Sequence, residues 1–235
     1  MADASRSAVN HLGRDVSGHI PPRHATEGMI EMTERDAAVW EAALPYLRTR
    51  ANDAHTLVSY GIARALLAMV PEGDPDIVLP AIILHDTGWS TVDELVAINA
   101  IAPDRDGSLR HVVIQHEKEG ARIAREILEG LGHPAAAIDE IVEIIDGHDT
   151  RLTALSLNDS LVKDADKVWR VSPHGLDVAV PRFGLTFEES TILNASRAVD
   201  DLFNPAAKAM SRAFIAWACV TTSPQWDQTM PMEDA

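Results

Sequence analysis

A charged pair, His85-Asp86, follows a strongly apolar segment that runs from Ile77 to Leu84. Such a segment belongs in a core, and buried charge costs free energy unless it is paired or binds a metal. Further candidates recur at helix-sized intervals: His55, His116, His148 and Asp166. Since each interval accommodates one helix and a returning loop, the set can converge at one end of a helical bundle. Its nitrogen and oxygen donors, without a thiolate, suit Fe, Mn, Mg or Zn.

Helical periodicity dominates the sequence around these residues. The clearest helix has an apolar stripe of 3.6-residue period from His55 to Met69, and Asn52 or Asp53 can cap it. Asp74-Pro75 predicts the start of the helix that leads into His85, and Pro80 is expected to kink that helix or delay its start. Asn158 is predicted to cap the helix that carries Asp166.

The chain is predicted to be all-α, a compact multi-helix bundle of one domain. Residues 1–32 are predicted to form an N-terminal arm that is partly disordered or packed on the domain. The helical domain covers residues 33–222, and residues 223–235 form a C-terminal tail. Residues 171–185 (VSPHGLDVAVPRFGL) are predicted to form a loop or at most a short hairpin.

Composition restricts the class of protein. Hydrophobic residues make up 46% and charged residues 24% of the 235, as in globular proteins, and the net charge is −16. Such a surplus of acid argues against nucleic acids and anionic membranes as partners. The single cysteine, Cys219, excludes a disulfide within the chain and is predicted to be a buried small hydrophobe. With no apolar leader and no span of membrane length, a cytoplasmic location is expected.

The ordered pattern His55…His85-Asp86…Asp166 resembles the HD-domain superfamily of metal-dependent phosphohydrolases. The surrounding sequences HTLVSYGIARALL, AIILHDTGW and LVKDADKVWR resemble it as well. QHEKEGARIAREIL and IVEIIDGHD resemble the two additional histidine segments of the subset that holds two metals. The resemblance covers about residues 50–170 and implies a helical bundle of the HD-domain type.

The resemblance also implies the ligands and their roles. One metal would be held by His55, His85, Asp86 and Asp166, and a second by His116 and His148. Asp86 would bridge the two ions and be essential to catalysis through a metal-bridging hydroxide. The cofactor is expected to be one or two divalent ions, namely Fe, Mn, Mg, Ni or Zn. Asp164 competes with Asp166 as the last ligand, but the family pattern favours the Asp before Lys167. Asp149 either orients a ligand or is a solvated loop carboxylate.

Residues near the ligands in sequence are the candidates for binding a small anionic substrate. Arginine and lysine side chains can hold a phosphate or a carboxylate, and an aromatic ring can form a pocket wall. The alternative is that the charged side chains are ordinary surface residues and that the aromatic ring packs in the core. The candidates are Arg48, Arg50, Trp89, Arg151, Lys167 and Arg170.

Three functions are compatible with this sequence. The leading interpretation is hydrolysis of a small phosphate ester or nucleotide. The alternative is a mixed-valent diiron oxygenase that cleaves a C–C or C–P bond, because an oxygenase branch resembles the chain at all six ligand positions. Phosphonate-cleaving members of that branch have a Tyr and Glu pair before the first histidine, whereas PYLRTRANDAH contains Tyr46 and no Glu. The third is a non-catalytic metal-binding regulatory module, which the complete ligand set argues against.

Overall fold

The computed structural model describes residues 12–22, 25–26, 28–29, 31–103 and 106–222. The chain divides into two units, Met1–Glu31 and Met32–Ala235. The described part of the first unit contains a 3-10 turn at Ser17–His19. The predicted tail, residues 223–235, lies outside the described residues. The boundaries predicted for the arm, the domain and the tail stay predictions.

The described residues form ten α-helices and no β-strand, which confirms the all-α prediction. The helices are α1 (Glu34–Ala43), α2 (Asn52–Met69), α3 (Pro75–Leu84), α4 (Glu94–Ile101), α5 (Arg110–Gly130), α6 (Ala135–Ile145), α7 (Leu157–Trp169), α8 (Pro173–Phe183), α9 (Phe187–Asp201) and α10 (Pro205–Thr222). None of these helices has the length and apolarity that crossing a membrane requires.

Helix α3 lies at the centre of the second unit. Every residue from Ile77 to Leu84 is buried, and α3 contacts α1, α2, α5, α6 and α7. A helix that is apolar on all sides is stable only when neighbours cover it completely. Pro80 lies inside α3, yet the helix begins at Pro75, so its start is not delayed. The central helix therefore delivers His85-Asp86 to one end of the core.

The stretch predicted to be a loop, residues 171–185, contains helix α8. Ser172 caps this helix by accepting a hydrogen bond from the Gly175 amide, and Pro173 occupies the first turn. Gly184 ends it in the left-handed conformation, with φ of 65°. The loop prediction was wrong, because these start and stop signals define a helix that contains Pro181 in its interior.

Two smaller predictions were also wrong. Helix α7 is capped by Ser156, not by Asn158, whose side chain instead accepts from the Asp74 amide and donates to Glu140. Cys219 is exposed on α10, whereas its neighbour Ala218 is the residue that the helix buries there.

The chain after Asp86 packs backbone to backbone against α5. The 3-10 turn Thr87–Thr91 contacts α5, and Gly88 lies where they meet. A Cβ atom on Gly88 would lie 1.9 Å from the His116 carbonyl oxygen and 2.5 Å from the Gly120 nitrogen. Only glycine permits this approach, which brings Asp86 and His116 close together.

We expect Gly88→Ala to destabilise the protein by about 3 kcal/mol or more, because rigid backbone cannot move away from the added methyl group. Gly61→Ala is the matched control, because Gly61 lies inside α2 and a Cβ atom there would meet nothing within 4 Å. That control should leave stability unchanged or raise it by up to about 1 kcal/mol. Chemical denaturation of both variants measures the difference. Equal stability of the two would contradict the close approach at Gly88.

Candidate metal centre

One group of donors joins the start of α2, the end of α3 and the middle of α7. The Nε2 atoms of His55 and His85 lie 3.1 Å apart. Asp166 Oδ1 lies 3.3 Å from His55 Nε2 and 3.7 Å from His85 Nε2. Asp86 Oδ2 lies 3.6 Å from His55 Nε2. The donor atoms of His55, His85 and Asp86 are close enough together to bind one ion, and Asp166 lies beside them.

A second group lies beside the first and shares Asp86. His116 on α5 and His148 just after α6 have their Nε2 atoms 3.4 Å apart. Asp86 Oδ1 lies 3.6 Å from His148 Nε2 and 3.8 Å from His116 Nε2. The structure thus brings all six predicted ligands together, with Asp86 between the two histidine pairs and Asp166 beside the first pair.

The orientation of the histidine rings fits metal ions. His85 Nδ1 donates to the Ile82 carbonyl at 2.8 Å, and His148 Nδ1 donates to the Ile145 carbonyl at 2.9 Å. A proton held on Nδ1 leaves the Nε2 lone pair directed into the cluster, as in metal-binding histidines. Buried nitrogen and carboxylate oxygen donors of this kind suit divalent Fe, Mn, Ni or Zn.

Electrostatics keep several donors in the form that a metal requires. Burial lowers the pKa of His55 and lowers that of His116 to about 3, so both rings are neutral near pH 7. Burial opposes ionisation of Asp86, but the charge of His85 and hydrogen bonding by His148 hold its pKa well below the usual value. The carboxylates of Asp149 and Asp86 outweigh burial at His148 and raise its pKa to about 10. A cation in the cluster would replace that proton.

Asp149 faces the second histidine pair. Its Oδ2 atom lies 3.7 Å from Nε2 of both His116 and His148. Its Oδ1 atom lies 3.8 Å from a guanidinium nitrogen of Arg170, which is also 3.8 Å from Asp166. Of the two roles open to Asp149, this placement favours orientation of the site over a solvated carboxylate.

Two buried charged residues hold the loop that carries His148 and Asp149. The Glu117 carboxylate accepts from the backbone amides of Asp149 and Thr150, both at 2.8 Å. Lys163 Nζ donates to the carbonyl oxygens of Gly147 and Arg151 at 3.1 and 2.7 Å. The sequence analysis missed both residues, because their partners are backbone groups that leave no pattern in the sequence.

Trp89 both packs in the core and contacts the metal cluster. Its indole stacks on the His116 ring with centroids 3.8 Å apart, and its Nε1 donates to Asp86 Oδ1 at 3.0 Å. Asp164, the competing ligand, points elsewhere and accepts from the backbone amides of Phe203 and Asn204. The two aspartates of α7 therefore have different roles. Asp166 lies in the cluster, and Asp164 joins α7 to the start of α10.

The cluster opens into a cavity of about 280 Å³. Among the substrate candidates, Arg50, Trp89 and Arg170 line it together with Asp86, Asp149 and Asp166. The sequence analysis missed Arg182, which also lines the cavity, because it lies in the stretch predicted to be a loop.

The structure does not bring the other three substrate candidates to this cavity. Arg48 is exposed on the surface. Arg151 donates to the Glu143 carbonyl at 2.8 Å and so helps to end α6. Lys167 lies over the ring of Phe203, with 5.5 Å from Nζ to the centroid.

Comparison with known protein families matches residues 52–170 to the HD domain. The match covers half of the chain and contains all six predicted ligands. The chain belongs to the HD-domain family. No curated protein and no solved structure gives a significant match.

Two isosteric substitutions distinguish the aspartates on α7 of this HD domain. Asp166→Asn should lower the metal bound per chain, because an amide oxygen is a weaker ligand than a carboxylate. Asp164→Asn should leave metal content unchanged, since its contacts are with backbone amides. Elemental analysis of the purified variants measures the difference. Loss of metal from Asp164→Asn alone would reverse the assignment.

Glu117→Gln should weaken binding of one metal equivalent about 10- to 100-fold, because the loop that carries His148 loses part of its anchor. His148→Ala provides the benchmark and should remove the same equivalent. Glu119→Gln is the control, because Glu119 lies on the same helix and pairs with Arg122 at the surface. Metal titration followed by calorimetry tests all three. Identical titrations for wild type and Glu117→Gln would contradict a positioning role.

Proposed function

We propose that this HD-domain protein is a metal-dependent phosphohydrolase acting on a small anionic phosphate ester or nucleotide. The observation that carries the proposal is the pair of donor groups sharing Asp86, placed at a cavity lined by arginine side chains. His55, His85, Asp86 and Asp166 would hold one ion, and Asp86, His116 and His148 a second. When bound, divalent ions supply Lewis acidity that lowers the pKa of water and neutralises the charge developing on a phosphoryl group.

The residues around the donors would orient the site and the substrate. Trp89 holds Asp86 through a hydrogen bond to Oδ1, which sets the direction of the shared carboxylate. Arg50 and Arg170 line the cavity, where planar guanidinium groups can bind or orient the oxygens of an anionic substrate. The buried walls around the donors limit the access of bulk water. A location in the cytoplasm, with neither nucleic acid nor membrane as partner, stays a prediction.

Metal analysis combined with a reaction screen tests the proposed function. The protein is purified without oxygen, its metal content is measured, its EPR spectrum is recorded, and it is screened against phosphate esters and nucleotides. We expect Mn, Mg, Ni, Zn or Fe with turnover of phosphate esters. Two irons, a mixed-valent signal and no phosphatase activity would instead support the diiron oxygenase. A metal-loaded protein with neither activity would support the regulatory module.

Asp86→Ala should abolish both activity and bound metal, because both donor groups lose their shared carboxylate. Asp139→Ala removes a carboxylate that is exposed on α6 and pairs with Arg125, and it should keep both properties. Full metal content in Asp86→Ala would show that the shared carboxylate is not a ligand.

A further inference from the structure

The cavity beside the donors is rich in arginine, in a chain whose net charge is −16. Five arginines line it together with four aspartates, Asp86, Asp106, Asp149 and Asp166; the arginines are Arg50, Arg110, Arg170, Arg182 and Arg197. Arg170 lies 3.7 to 3.8 Å from three carboxylates, those of Asp149, Asp166 and Asp201. Its charge is therefore balanced within the protein.

Arg50 and Arg182 are adjacent and differ from Arg170 in their surroundings. Arg182 donates through Nη2 to the Arg50 carbonyl at 2.8 Å, a neutral acceptor. Burial and the nearby charge of Arg50 lower the pKa of Arg182, and the Glu94 carboxylate opposes this shift only in part. In the described part of the chain, the buried Nε and Nη1 atoms of Arg50 have no hydrogen-bond partner. Glu94 lies nearby on an exposed position, and it accepts from the Arg50 backbone amide at 3.3 Å.

The backbone at Arg50 has a strained conformation, and the side chain of this residue lies beside Trp89. Arg50 and Ala51 both have left-handed conformations, with φ of 63° and 55°, which side-chain-bearing residues rarely adopt. Such strain persists only where surrounding contacts maintain it, and it concentrates at functional sites. The guanidinium carbon of Arg50 lies 4.7 Å from the centroid of Trp89, the residue that binds Asp86. Arg50 and Arg182 are thus two neighbouring cations beside the donor cluster. Among the described residues, neither forms a salt bridge.

Charge balance indicates what this pair binds, given the proposed function. Two bound divalent ions and Arg170 would contribute positive charge, and the carboxylates of Asp86, Asp149 and Asp166 would contribute negative charge. The sum would be about two positive charges. One phosphoryl group, with a charge of about −1.5 to −2, neutralises them. The charges of Arg50 and Arg182 then remain for a different group. Guanidinium pairs favour planar or tetrahedral oxyanions, which they bind through two parallel hydrogen bonds.

We propose that Arg50 and Arg182 form an anion subsite beside the metal centre, and that the substrate carries a second anionic group, a carboxylate or phosphate, which this subsite binds. This inference rests on the proposed function, which places the first anionic group, the phosphoryl group, at the donor cluster. It defines the substrate class as small molecules with two separated oxyanions.

Anaerobic calorimetry with the full-length, metal-containing protein tests the subsite. The probes are phosphonoacetate, 3-phosphonopropionate and 4-phosphonobutyrate, each compared with the alkylphosphonate of equal length that lacks the carboxylate. We expect at least one acid to bind about tenfold more tightly than its alkyl partner, because charge-assisted hydrogen bonds to arginine are strong. Equal binding at all three lengths would overturn the proposal, and this comparison requires no variant.

Substitutions of Arg182 test whether this residue causes the preference for the acid over the alkylphosphonate. Arg182→Met should reduce the preference for the acid to within about twofold and leave alkylphosphonate binding within about twofold of wild type. Arg182→Lys should keep part of the preference, because the charge remains without the planar fork. Arg48→Met removes an exposed arginine outside the cavity and should change neither affinity. Equal weakening of both probes by Arg182→Met would place the arginine at the first group and refute a separate subsite.

The same measurements separate this inference from the proposed function. A protein that hydrolyses no phosphate ester but shows the Arg182-dependent preference would contradict the hydrolase while supporting the subsite. A protein that hydrolyses simple monoesters and shows no preference at any length would support the hydrolase and overturn the subsite.

Discussion

Four imidazoles and three carboxylates lie within a few ångströms of one another at one end of the helical core, and the surrounding structure supports this concentration of polar groups. Burial of so many ionisable side chains is unfavourable unless cations or hydrogen bonds compensate it. Backbone carbonyls orient His85 and His148, and Trp89 orients Asp86. The cluster therefore depends on helix ends that meet in one particular arrangement, and the central apolar helix α3 fixes that arrangement.

Close packing gives the cluster its dimensions. The chain after Asp86 touches α5 without an intervening side chain at Gly88, so Asp86 cannot move away from His116. On the other side, Glu117 and Lys163 bind the backbone of the loop that carries His148. Each ligand thus rests either on a helix or on a loop anchored by a buried charge, which is the support that precise metal coordination requires.

Most helices, and the six candidate ligands that the structure brings together, could be predicted from the sequence, because both leave periodic or family-wide patterns. His55 lies on an apolar stripe, and His85-Asp86 ends an apolar run. Helix α8 was not predicted; its interior contains Pro181, a residue that ordinarily breaks helices. Residues that act through tertiary contacts could not be assigned from one sequence. Arg151 ends a helix instead of facing the cavity, and Arg182 enters the cavity from a helix that was not predicted.

Helix α7 takes part in both donor groups through two side chains one turn apart. Asp166 belongs to the first group, and Lys163 anchors the loop that brings His148 to the second. A displacement of α7 therefore moves donors in both groups together, so this one helix influences the separation between the two donor groups. Substitutions in the core beneath α7 would change the geometry of both sites in a correlated way, even where they touch no ligand.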